Sequence, residues 1–373
     1  VCSAQRAPLA LLYCPSCSLT QLSISVSPAL LFDELYPYYS SVSPSLSAHF
    51  AESAKNIISA NDIGPGNLVV EAASNDGYML RHFKAAGAQV LGFDPASGPA
   101  GVAISAGIDT RIDFFGLDAA RELATAGRKA DVFLANNVLA HVPDLTGFVA
   151  AIACILQPDG IAVIEVPYLV DLVQGNEFDT IYHQHLCYFT LTSLEALFEN
   201  AGLRLDHAER ISVHGGSLRL QVRHGTGSAG GARVLIEAEQ QNGWHSSSFA
   251  GRIAGAATRT RKDLKQLISR IRAHGGHIVG YGAAAKAATL LSWCELDEDD
   301  VSVVCDLNVH NHCRYLPGTD LKIVPPEAIM EVRPSHVLIL AWNFADEIMQ
   351  QLDEYRRAGG RFIIPVPEPR VVE

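Results

Sequence analysis

Hydrophobic positions along the chain form two series of short apolar runs separated by amphipathic stretches. In the first series the runs predict strands at Asn67–Glu71, Val90–Asp94, Asp131–Asn136 and Ile161–Pro167. Strands of a parallel sheet are buried on both faces and read as nearly continuous apolar runs, and the stretches between them have helical spacing. The alternation therefore predicts a parallel sheet covered by helices on both faces.

The rhythm changes after this series. Arg204–Ile211 and Ser217–Arg223 predict two strands joined by a tight turn at residues 214–216, a hairpin that closes one edge of the sheet. The Gly-rich stretch 225–231 is typical of a flexible linker, and a long helical segment leads from it to about Ala273.

A second β/α series follows the long helix, with strands predicted at His277–Tyr281, Val301–Asp306, His336–Ala341 and Arg361–Pro365. The first 55 residues differ from both series, because they are rich in Ser, Pro, Tyr and Leu and carry few charges. We therefore predict an α/β protein with a small irregular head (1–55), one α/β domain (56–225) and a second doubly wound domain (226–373).

Composition narrows the class of protein. The 373 residues are 48% hydrophobic and 18% charged, as in soluble globular proteins, and the net charge is −12. An acidic chain without a run of Lys or Arg is a poor partner for nucleic acid or an anionic membrane. No apolar stretch long enough to span a bilayer, no secretion signal and scattered Cys residues together predict a cytoplasmic protein with reduced thiols.

The first predicted strand ends in a candidate cofactor site. Glu71 closes the strand, a turn with Ser74, Asn75 and Asp76 follows, and a helix begins near Tyr78. Backbone NH groups at such a switch approach polar ligands closely. The next strand ends at Asp94, where a carboxylate commonly holds the hydroxyls of an adenosine ribose.

Both NAD and S-adenosylmethionine (SAM) have that ribose, so Asp94 does not distinguish them. The turn does, because a dinucleotide site needs Gly-x-Gly-x-x-Gly around the pyrophosphate and this turn has one Gly among polar and acidic residues. The amino-acid end and sulfonium of SAM suit such neighbours. We therefore predict SAM; the alternative is a βα turn with incidental polar residues.

Two further segments fit an adenosine cofactor at the carboxyl edge of the sheet. Phe114 and Phe115 lie between the second and third predicted strands, where they would form an apolar wall for adenine or, equally, ordinary core aromatics. Asn136 ends the third predicted strand and Asn137 follows it, with His141 shortly after them.

Read together, Glu71–Tyr78, Asn136–Pro143, Thr180–Phe189, His214–Arg219 and Gly280–Lys286 resemble the nucleotide-sugar C-methyltransferases. The resemblance covers nearly the whole chain in the same order. It implies a zinc-binding head, a class I SAM-methyltransferase domain with a Rossmann-like fold, and a second Rossmann-like domain that closes over the sugar nucleotide. The implied reaction methylates carbon 3 of a 4-keto-6-deoxy sugar linked to TDP.

The resemblance also implies roles for individual residues. His185 matches the proposed base of the family, which removes the proton next to the ketone; a histidine suits that task at neutral pH. If the run 182–185 is extended, His183 and His185 point one way and Tyr182 and Gln184 the other. The catalytic set implied by resemblance is His185, Tyr182, His141, Tyr36 and Gln184.

Gln184 departs from the family, which usually carries Glu there. A carboxylate would raise the basicity of its histidine neighbour, whereas an amide only orients it. The histidines could instead bind a metal, since His-x-His is a known ligand spacing, but no carboxylate completes such a set.

The substrate side of the prediction rests on the second domain and the hairpin. At the turn Gly280–Lys286 a lysine beside a helix start can hold the sugar's diphosphate, or the small residues pack the helix on the sheet. The predicted substrate residues are Lys286, Tyr281, His214 and Arg219.

Zinc is a hypothesis about the head. Cys14 and Cys17 form half of a zinc ribbon, and a structural site needs four ligands. The family has an earlier Cys pair that this sequence does not show, so we expect either a shortened head or a degenerate site.

Two other functions remain open at this stage. Two Rossmann-like domains also suit an NAD-dependent sugar oxidoreductase, which the glycine count of the first turn disfavours. A non-catalytic nucleotide-sugar binder that keeps the fold is the other, favoured by Gln184 and the missing Cys pair.

Overall fold

A computed structural model describes residues 7–32 and 38–373. The chain forms two compact units. The amino-terminal unit comprises Ala10–Leu169 and His183–Ser247; the carboxyl-terminal unit comprises Val170–Tyr182 and Ser248–Glu373, together with residues 7–9.

The strands and helices are numbered along the chain. The strands are β1 Leu11–Tyr13, β2 Thr20–Leu22, β3 Leu68–Ala72, β4 Gln89–Phe93, β5 Thr110–Arg111, β6 Ala130–Asn136, β7 Leu156–Pro167, β8 Cys187–Tyr188, β9 Leu203–Ile211, β10 Ser217–His224, β11 Ile278–Tyr281, β12 Val304–Cys305, β13 Ile323–Val324, β14 His336–Ile339, β15 Arg361–Ile364 and β16 Arg370–Val372. The helices are α1 Pro28–Leu31, α2 Pro44–Ala60, α3 Leu80–Ala85, α4 Ser97–Ser105, α5 Leu117–Thr125, α6 Leu145–Ile155, α7 Leu169–Gln174, α8 Leu191–Glu199, α9 Gly230–Gln241, α10 Ala250–Ala273, α11 Ala285–Cys294, α12 Ala328–Val332, α13 Ala345–Gln351 and α14 Asp353–Arg357.

The amino-terminal unit is built on a seven-stranded sheet of order β5-β4-β3-β6-β7-β10-β9. Its first five strands are parallel, and β10 and β9 add an antiparallel edge. All four strands predicted for the first series are present, shifted by a few residues at their ends, and the predicted hairpin closes the edge. Strand β3 is buried throughout, which explains its unbroken apolar run.

Helix α2 connects the head to this sheet. Ser43 caps its first turn by accepting from the Leu46 NH, and Pro44 occupies the first helical position, where its missing NH costs nothing. Its buried face carries Leu46, Phe50, Ser53, Ala54 and Ile57 at helical spacing.

The described part of the head forms no separate body. Strands β1 and β2 pair antiparallel, and β2 pairs with β8, which lies far along the chain after the run 182–185. The small sheet therefore fastens the head to the segment that follows the predicted catalytic histidines.

The carboxyl-terminal unit has a six-stranded sheet of order β13-β12-β11-β14-β15-β16, parallel except for β16. Alternate strand residues enter two separate cores: Ile278 and Leu338 pack with helices α10 and α11, whereas Val279 and Val337 pack with α12, α13 and α14. Helices on both faces of a parallel sheet confirm the predicted second Rossmann-like domain.

Stretch 225–231 is irregular, as expected for a linker, yet the units do not divide there. Helix α9 belongs to the amino-terminal unit, where Ile236 is buried and the Glu239 carboxylate accepts from the NH groups of Leu191 and Thr192 at the start of α8. The three-domain division at 55/56 and 225/226 stays a prediction. Within the described residues no helix is long and apolar enough to cross a membrane.

Candidate active site

The turn after β3 has an unusual backbone. Ala73 and Asn75 have left-handed conformations, with φ of 51° and 50°, and Gly77 has φ of 74°. Non-glycine residues pay for this conformation, and such strain is found mainly at functional sites. A Cβ on Gly92 of the neighbouring strand would lie 2.2 Å from the Ser74 Oγ, so that glycine makes room for the turn.

A polar cluster lies beside this turn. The Asn136 Nδ2 is 3.3 Å from the Glu71 Oε1, 3.3 Å from the Tyr78 hydroxyl and 3.0 Å from the Met79 Sδ. Burial raises the pKa of Glu71 well above its usual value, although hydrogen bonds from Tyr78 and Asn136 oppose the shift. The cluster joins the ends of β3 and β6 at the carboxyl edge of the sheet.

Several buried oxygens at this edge have no hydrogen-bond partner within residues 7–32 and 38–373. They are the Glu71 Oε2, Ser74 Oγ, Asp76 Oδ1, Asn136 Oδ1 and Asn137 Oδ1. Buried polar atoms are normally paired, so this group is a ready acceptor set for a ligand. Acceptors that include the Asp76 side chain suit the ammonium and sulfonium of SAM better than an anionic pyrophosphate. The site therefore fits SAM rather than a dinucleotide.

Asp94 is buried and already holds the turn. Its Oδ2 accepts from the Asn75 NH at 2.9 Å and its Oδ1 from the Ala96 NH at 2.9 Å. Each carboxylate oxygen has a second lone pair, so both remain able to accept from a ribose hydroxyl. Burial raises the pKa of Asp94, and the two backbone donors oppose the shift.

The side chains of Asn75 and Asp76 also bind the head. The Asn75 amide accepts from the Ser40 NH at 2.8 Å and donates to the Tyr38 carbonyl at 3.1 Å. The Asp76 Oδ2 accepts from both the NH and the hydroxyl of Ser41. Asp76 therefore has only its Oδ1 left for a cofactor.

The two candidate adenine-wall residues differ. Phe114 is 49% exposed, so its ring is accessible to a ligand. Phe115 is buried in an aromatic cluster with Phe93, Phe133 and Phe148 at centroid distances of 4.8–5.8 Å. This packing favours the core interpretation for Phe115 and leaves Phe114 as the candidate wall.

The predicted catalytic histidines lie together. The rings of His141 and His185 have centroids 5.0 Å apart. The His141 Nδ1 is 2.6 Å from the backbone carbonyl of Gln184, and the Leu186 NH donates to the Ala140 carbonyl at 2.7 Å. Because a carbonyl only accepts, His141 carries its proton on Nδ1 and leaves Nε2 with a free electron pair. Burial lowers the pKa of His141, which keeps it neutral.

Residues 182–185 are not extended, so the alternation of side chains considered for an extended run does not apply. This run forms a turn, and strand β8 begins only at Cys187. The reason is the pair of bonds to Ala140 and His141, which bend the chain toward the end of β6. Tyr182 lies in the carboxyl-terminal unit, at the end of its segment Val170–Tyr182. Tyr36 lies outside the described residues.

Metal binding by the histidines gains no support. In the ranges that the structure describes, no three His, Cys, Asp or Glu side chains are grouped to hold a metal ion, which covers His141, His183, His185 and His214. Cys14 and Cys17 remain a half-site in those ranges, with both thiols free. Zinc in the head therefore stays a hypothesis without a ligand set.

Two predicted substrate residues lie on the hairpin. His214 adopts a left-handed conformation (φ 56°) in the turn between β9 and β10. Arg219 on β10 is committed to protein partners: its Nε donates to the Glu165 Oε1 at 2.8 Å and its Nη1 to the Glu209 Oε1 at 3.0 Å.

The other two are buried in the carboxyl-terminal unit. Tyr281 is 4% exposed and packs in the core, where its hydroxyl lies 3.3 Å from the Gln351 Oε1. This position speaks against a substrate role, because a ligand would have to displace core packing. The Lys286 ammonium donates to the Asn343 side chain and lies 4.0 Å from the centre of the Trp342 ring.

Lys286 is also surrounded by acids. Glu177 and Asp179 are both buried, and the Trp342 indole NH donates to the Asp179 Oδ2 at 2.7 Å. Burial lowers the pKa of Lys286 to about 8, and the two carboxylates oppose the shift. A lysine whose charge is already compensated by two neighbouring carboxylates is a weaker candidate for a diphosphate than its place in the sequence suggests.

Sequence reasoning missed several polar residues that the structure brings forward. Glu165 is almost fully buried at the end of β7, and Asp306 accepts from the Ala283 NH after β11. A lone Glu in the apolar run of β7 was a usable signal for the first. Asp179 gave no local signal, because its partners come from sequence positions more than 100 residues away.

Comparison with known proteins gives the class. Residues 49–208 match a family described as a methyltransferase domain, and residues 212–367 match the C-methyltransferase C-terminal domain. The sheet order and the turn after β3 agree with a class I SAM-methyltransferase fold.

The chain belongs to the C-methyltransferases and is a SAM-dependent enzyme of that family. It is similar to C-methyltransferase NovU from Streptomyces niveus, with 35% identity over 98% of this chain and 87% of NovU.

Solved structures show more distant likenesses. The 1,6-didemethyltoxoflavin-N1-methyltransferase of Burkholderia thailandensis, solved with S-adenosylhomocysteine, is 18% identical over 56% of this chain and 95% of that protein, with a TM-score of 0.41. The PH0226 protein of Pyrococcus horikoshii is 14% identical over 52% of this chain and all of that protein, with a TM-score of 0.42.

Proposed function

We propose that this C-methyltransferase transfers its methyl group to carbon 3 of a nucleotide-linked 4-keto-6-deoxy sugar, with TDP as the expected nucleotide. The observation that carries the proposal is the pair of histidines, His141 and His185, beside the cofactor edge of the sheet. Methyl transfer to a carbon next to a ketone requires a base that first removes a proton from that carbon, and histidine suits that task near neutral pH.

The chemistry makes that requirement explicit. A hydrogen on the carbon next to a ketone is acidic because its electron pair delocalises onto the ketone oxygen as an enolate. One histidine takes this proton, and the carbon then forms a bond to the methyl group while the bond between that methyl and the cofactor sulfur breaks. The bound cofactor supplies an electrophilic methyl group, and its sulfonium becomes a neutral thioether.

The contacts of His141 favour its neutral form, in which one ring nitrogen can accept a proton. The bond from the His141 Nδ1 to the Gln184 carbonyl leaves the Nε2 of His141 unprotonated, and the lowered pKa keeps it so near neutrality. His185, the base by resemblance, lies next to it. We propose that His185 takes the proton. Because His141 is neutral, the protonated ring of His185 does not lie beside a second positive charge.

Gln184 acts in this arrangement through its backbone carbonyl. That contact does not depend on the side chain, so the exchange of the family's Glu for Gln preserves the orientation of His141. This supports an active enzyme rather than a non-catalytic binder. Membership of the C-methyltransferases likewise disfavours the NAD-dependent oxidoreductase.

A panel of substrates tests the proposal. The purified protein is incubated with SAM and with TDP- or GDP-linked 4-keto-6-deoxy sugars, and the products are analysed by mass spectrometry. We expect a gain of one methylene mass for a TDP-4-keto sugar and none for the matching sugar with the ketone reduced to an alcohol. Methylation of the reduced sugar would contradict the proposal, because no proton in it is activated for removal.

A further inference from the structure

We propose that Arg219 is a positioning residue of the cofactor site: together with His49 it holds the buried carboxylate of Glu165, and this brace fixes the strand ends that carry Asn136 and Asn137. The inference rests on the proposed SAM site at that edge. It gives Arg219 a different role from substrate binding, which its place in the sequence had suggested.

The brace consists of three side chains from three elements. Glu165 lies on β7 with 1% of its side chain exposed, and Arg219 on β10 is its direct cross-strand partner. The Arg219 Nε donates to the Glu165 Oε1 at 2.8 Å, and the Nε2 of His49 on α2 lies 3.0 Å from the Oε2. A buried carboxylate is stable only when it is paired in this way.

Electrostatics agree with the geometry. Burial alone would raise the pKa of Glu165, but His49 and Arg219 outweigh it and hold the pKa below its usual value. Arg219 has little left for a ligand, because its Nη1 donates to Glu209 at 3.0 Å and its Nη2 lies 3.2 Å from the His49 Nε2. Its side chain is 15% exposed.

The brace connects to the cofactor edge by two routes. Along the sheet, Glu165 pairs with Asn136 of β6, and its carbonyl accepts from the Asn137 NH at 2.8 Å. Both asparagines have unpartnered buried oxygens among the described residues. We therefore expect a loss of the ion pair at Glu165 to shift the backbone of Asn136 and Asn137 and, with it, these oxygens.

The second route runs through helix α2. Phe50 follows His49 directly, and its ring lies 4.5 Å from the ring of Tyr78. The Tyr78 hydroxyl accepts from the Asn136 amide beside Glu71. Helix α2, which supplies His49, thus also contacts Tyr78 of the cofactor site through Phe50.

The test separates positioning from substrate binding. Calorimetry measures the Kd of S-adenosylhomocysteine and, separately, of TDP, for the wild-type chain, Arg219→Gln and Arg223→Gln. Arg223 is the matched control: it lies four residues along β10 on the same face, and it donates to the Asp159 carbonyl and the Asn61 side chain. We expect Arg219→Gln to weaken S-adenosylhomocysteine about tenfold with TDP unchanged, and Arg223→Gln to change neither.

Weakened TDP binding with unchanged S-adenosylhomocysteine binding in Arg219→Gln would overturn the proposal in favour of a substrate ligand, and so would no change in either. The double variant Arg219→Gln/Glu165→Gln guards against simple loss of folding. Because it removes both charges, we expect it to bind S-adenosylhomocysteine at least as well as Arg219→Gln, and additive losses would contradict a shared brace. Failure of the wild-type chain to bind S-adenosylhomocysteine would instead refute the cofactor assignment itself.

Discussion

Each of the two α/β sheets has an aspartate whose carboxylate accepts hydrogen bonds from a turn, but the residues around the two aspartates differ. In the amino-terminal unit the Asp94 carboxylate accepts from the NH groups of Asn75 and Ala96; in the carboxyl-terminal unit Asp306 accepts from those of Ala283 and Asn308. In each case an acid at the end of the second strand holds the turn that follows the first. The acid is therefore part of the fold, and it does not by itself identify a cofactor.

The difference lies in what lines each turn. Around Asp94 stand Glu71, Ser74, Asp76 and Asn136, with buried acceptor atoms that no described residue satisfies. The turn before α11 consists of glycine and alanine, and the charge of Lys286 just after it is compensated by Glu177 and Asp179. Cofactor identity thus follows from the unsatisfied acceptors at the first turn.

The largest expected effect concerns the chemistry at the first sheet. His185→Asn should lower kcat by about 10²–10⁴, the usual worth of a general base, and leave the Kd of SAM within about twofold. Steady-state kinetics and calorimetry measure the two effects. His207→Asn, an exposed histidine on β9, is the control and should be fully active. A His185→Asn variant with wild-type kcat would refute the assignment of the base.

The next prediction tests the comparison itself. Asp94→Asn removes a charged acceptor from the cofactor site, so we expect SAM to bind roughly 10–100-fold more weakly, as for the loss of a charge-assisted hydrogen bond. Asp306→Asn should leave the Kd of SAM unchanged, because its turn lacks the acceptor set. Equal losses in both variants would mean that the two turns are not functionally distinct.

A third prediction concerns stability in the carboxyl-terminal unit. Burial raises the pKa of Asp179 to about 6, above its unfolded value near 4, with Lys286 and Trp342 opposing the shift. Stability linked to this group is complete below pH 4 and is lost as the pH rises through 6, an effect of about 3 kcal/mol. Asp179→Asn should reduce the slope of stability against pH in thermal melts between pH 4 and 7, leaving the part that comes from Glu177, whose pKa burial raises to about 7. An unchanged slope would exclude Asp179 as its source.

The smallest expected effect concerns Gln184. Gln184→Glu restores the family's residue while keeping the backbone carbonyl that orients His141, so kcat should rise by no more than severalfold and the Kd of SAM should stay the same. A pH profile of kcat measures this change. A gain of a hundredfold or more would show that the side chain, rather than the carbonyl, decides the activity of the histidine pair.

Features that depend on a local sequence pattern, such as strands and turns, could be predicted from the sequence. Each strand that the apolar runs predicted for the two large sheets is present in the structure. The single glycine in a polar turn distinguished SAM from a dinucleotide. It could not predict the bend at 182–185, because the bonds that cause it come from Ala140 and His141, more than 40 positions away. Nor could it show that α9, beyond a linker-like stretch, packs on the amino-terminal unit through Glu239.

The site shows the same division. The end of a strand is readable from sequence, so Glu71, Asp94 and Asn136 were correctly predicted to lie at the same edge of the sheet. Whether a charged side chain there faces a ligand or another side chain depends on residues far away in the sequence. For this reason the sequence did not show that Arg219 and Lys286 are paired with buried acids. Their charges are compensated by Glu165 in one case and by Glu177 and Asp179 in the other.

The central claim is methyl transfer to a carbon next to a ketone, and isotope labelling tests it most directly. SAM carrying a ¹³C-labelled methyl group is turned over with a TDP-4-keto-6-deoxy sugar, and the product is examined by carbon–proton NMR. The account predicts a ¹³C-methyl signal coupled to carbon 3 of the sugar, absent with His185→Asn. A labelled methyl group on oxygen, or none on the sugar while S-adenosylhomocysteine accumulates, would contradict it.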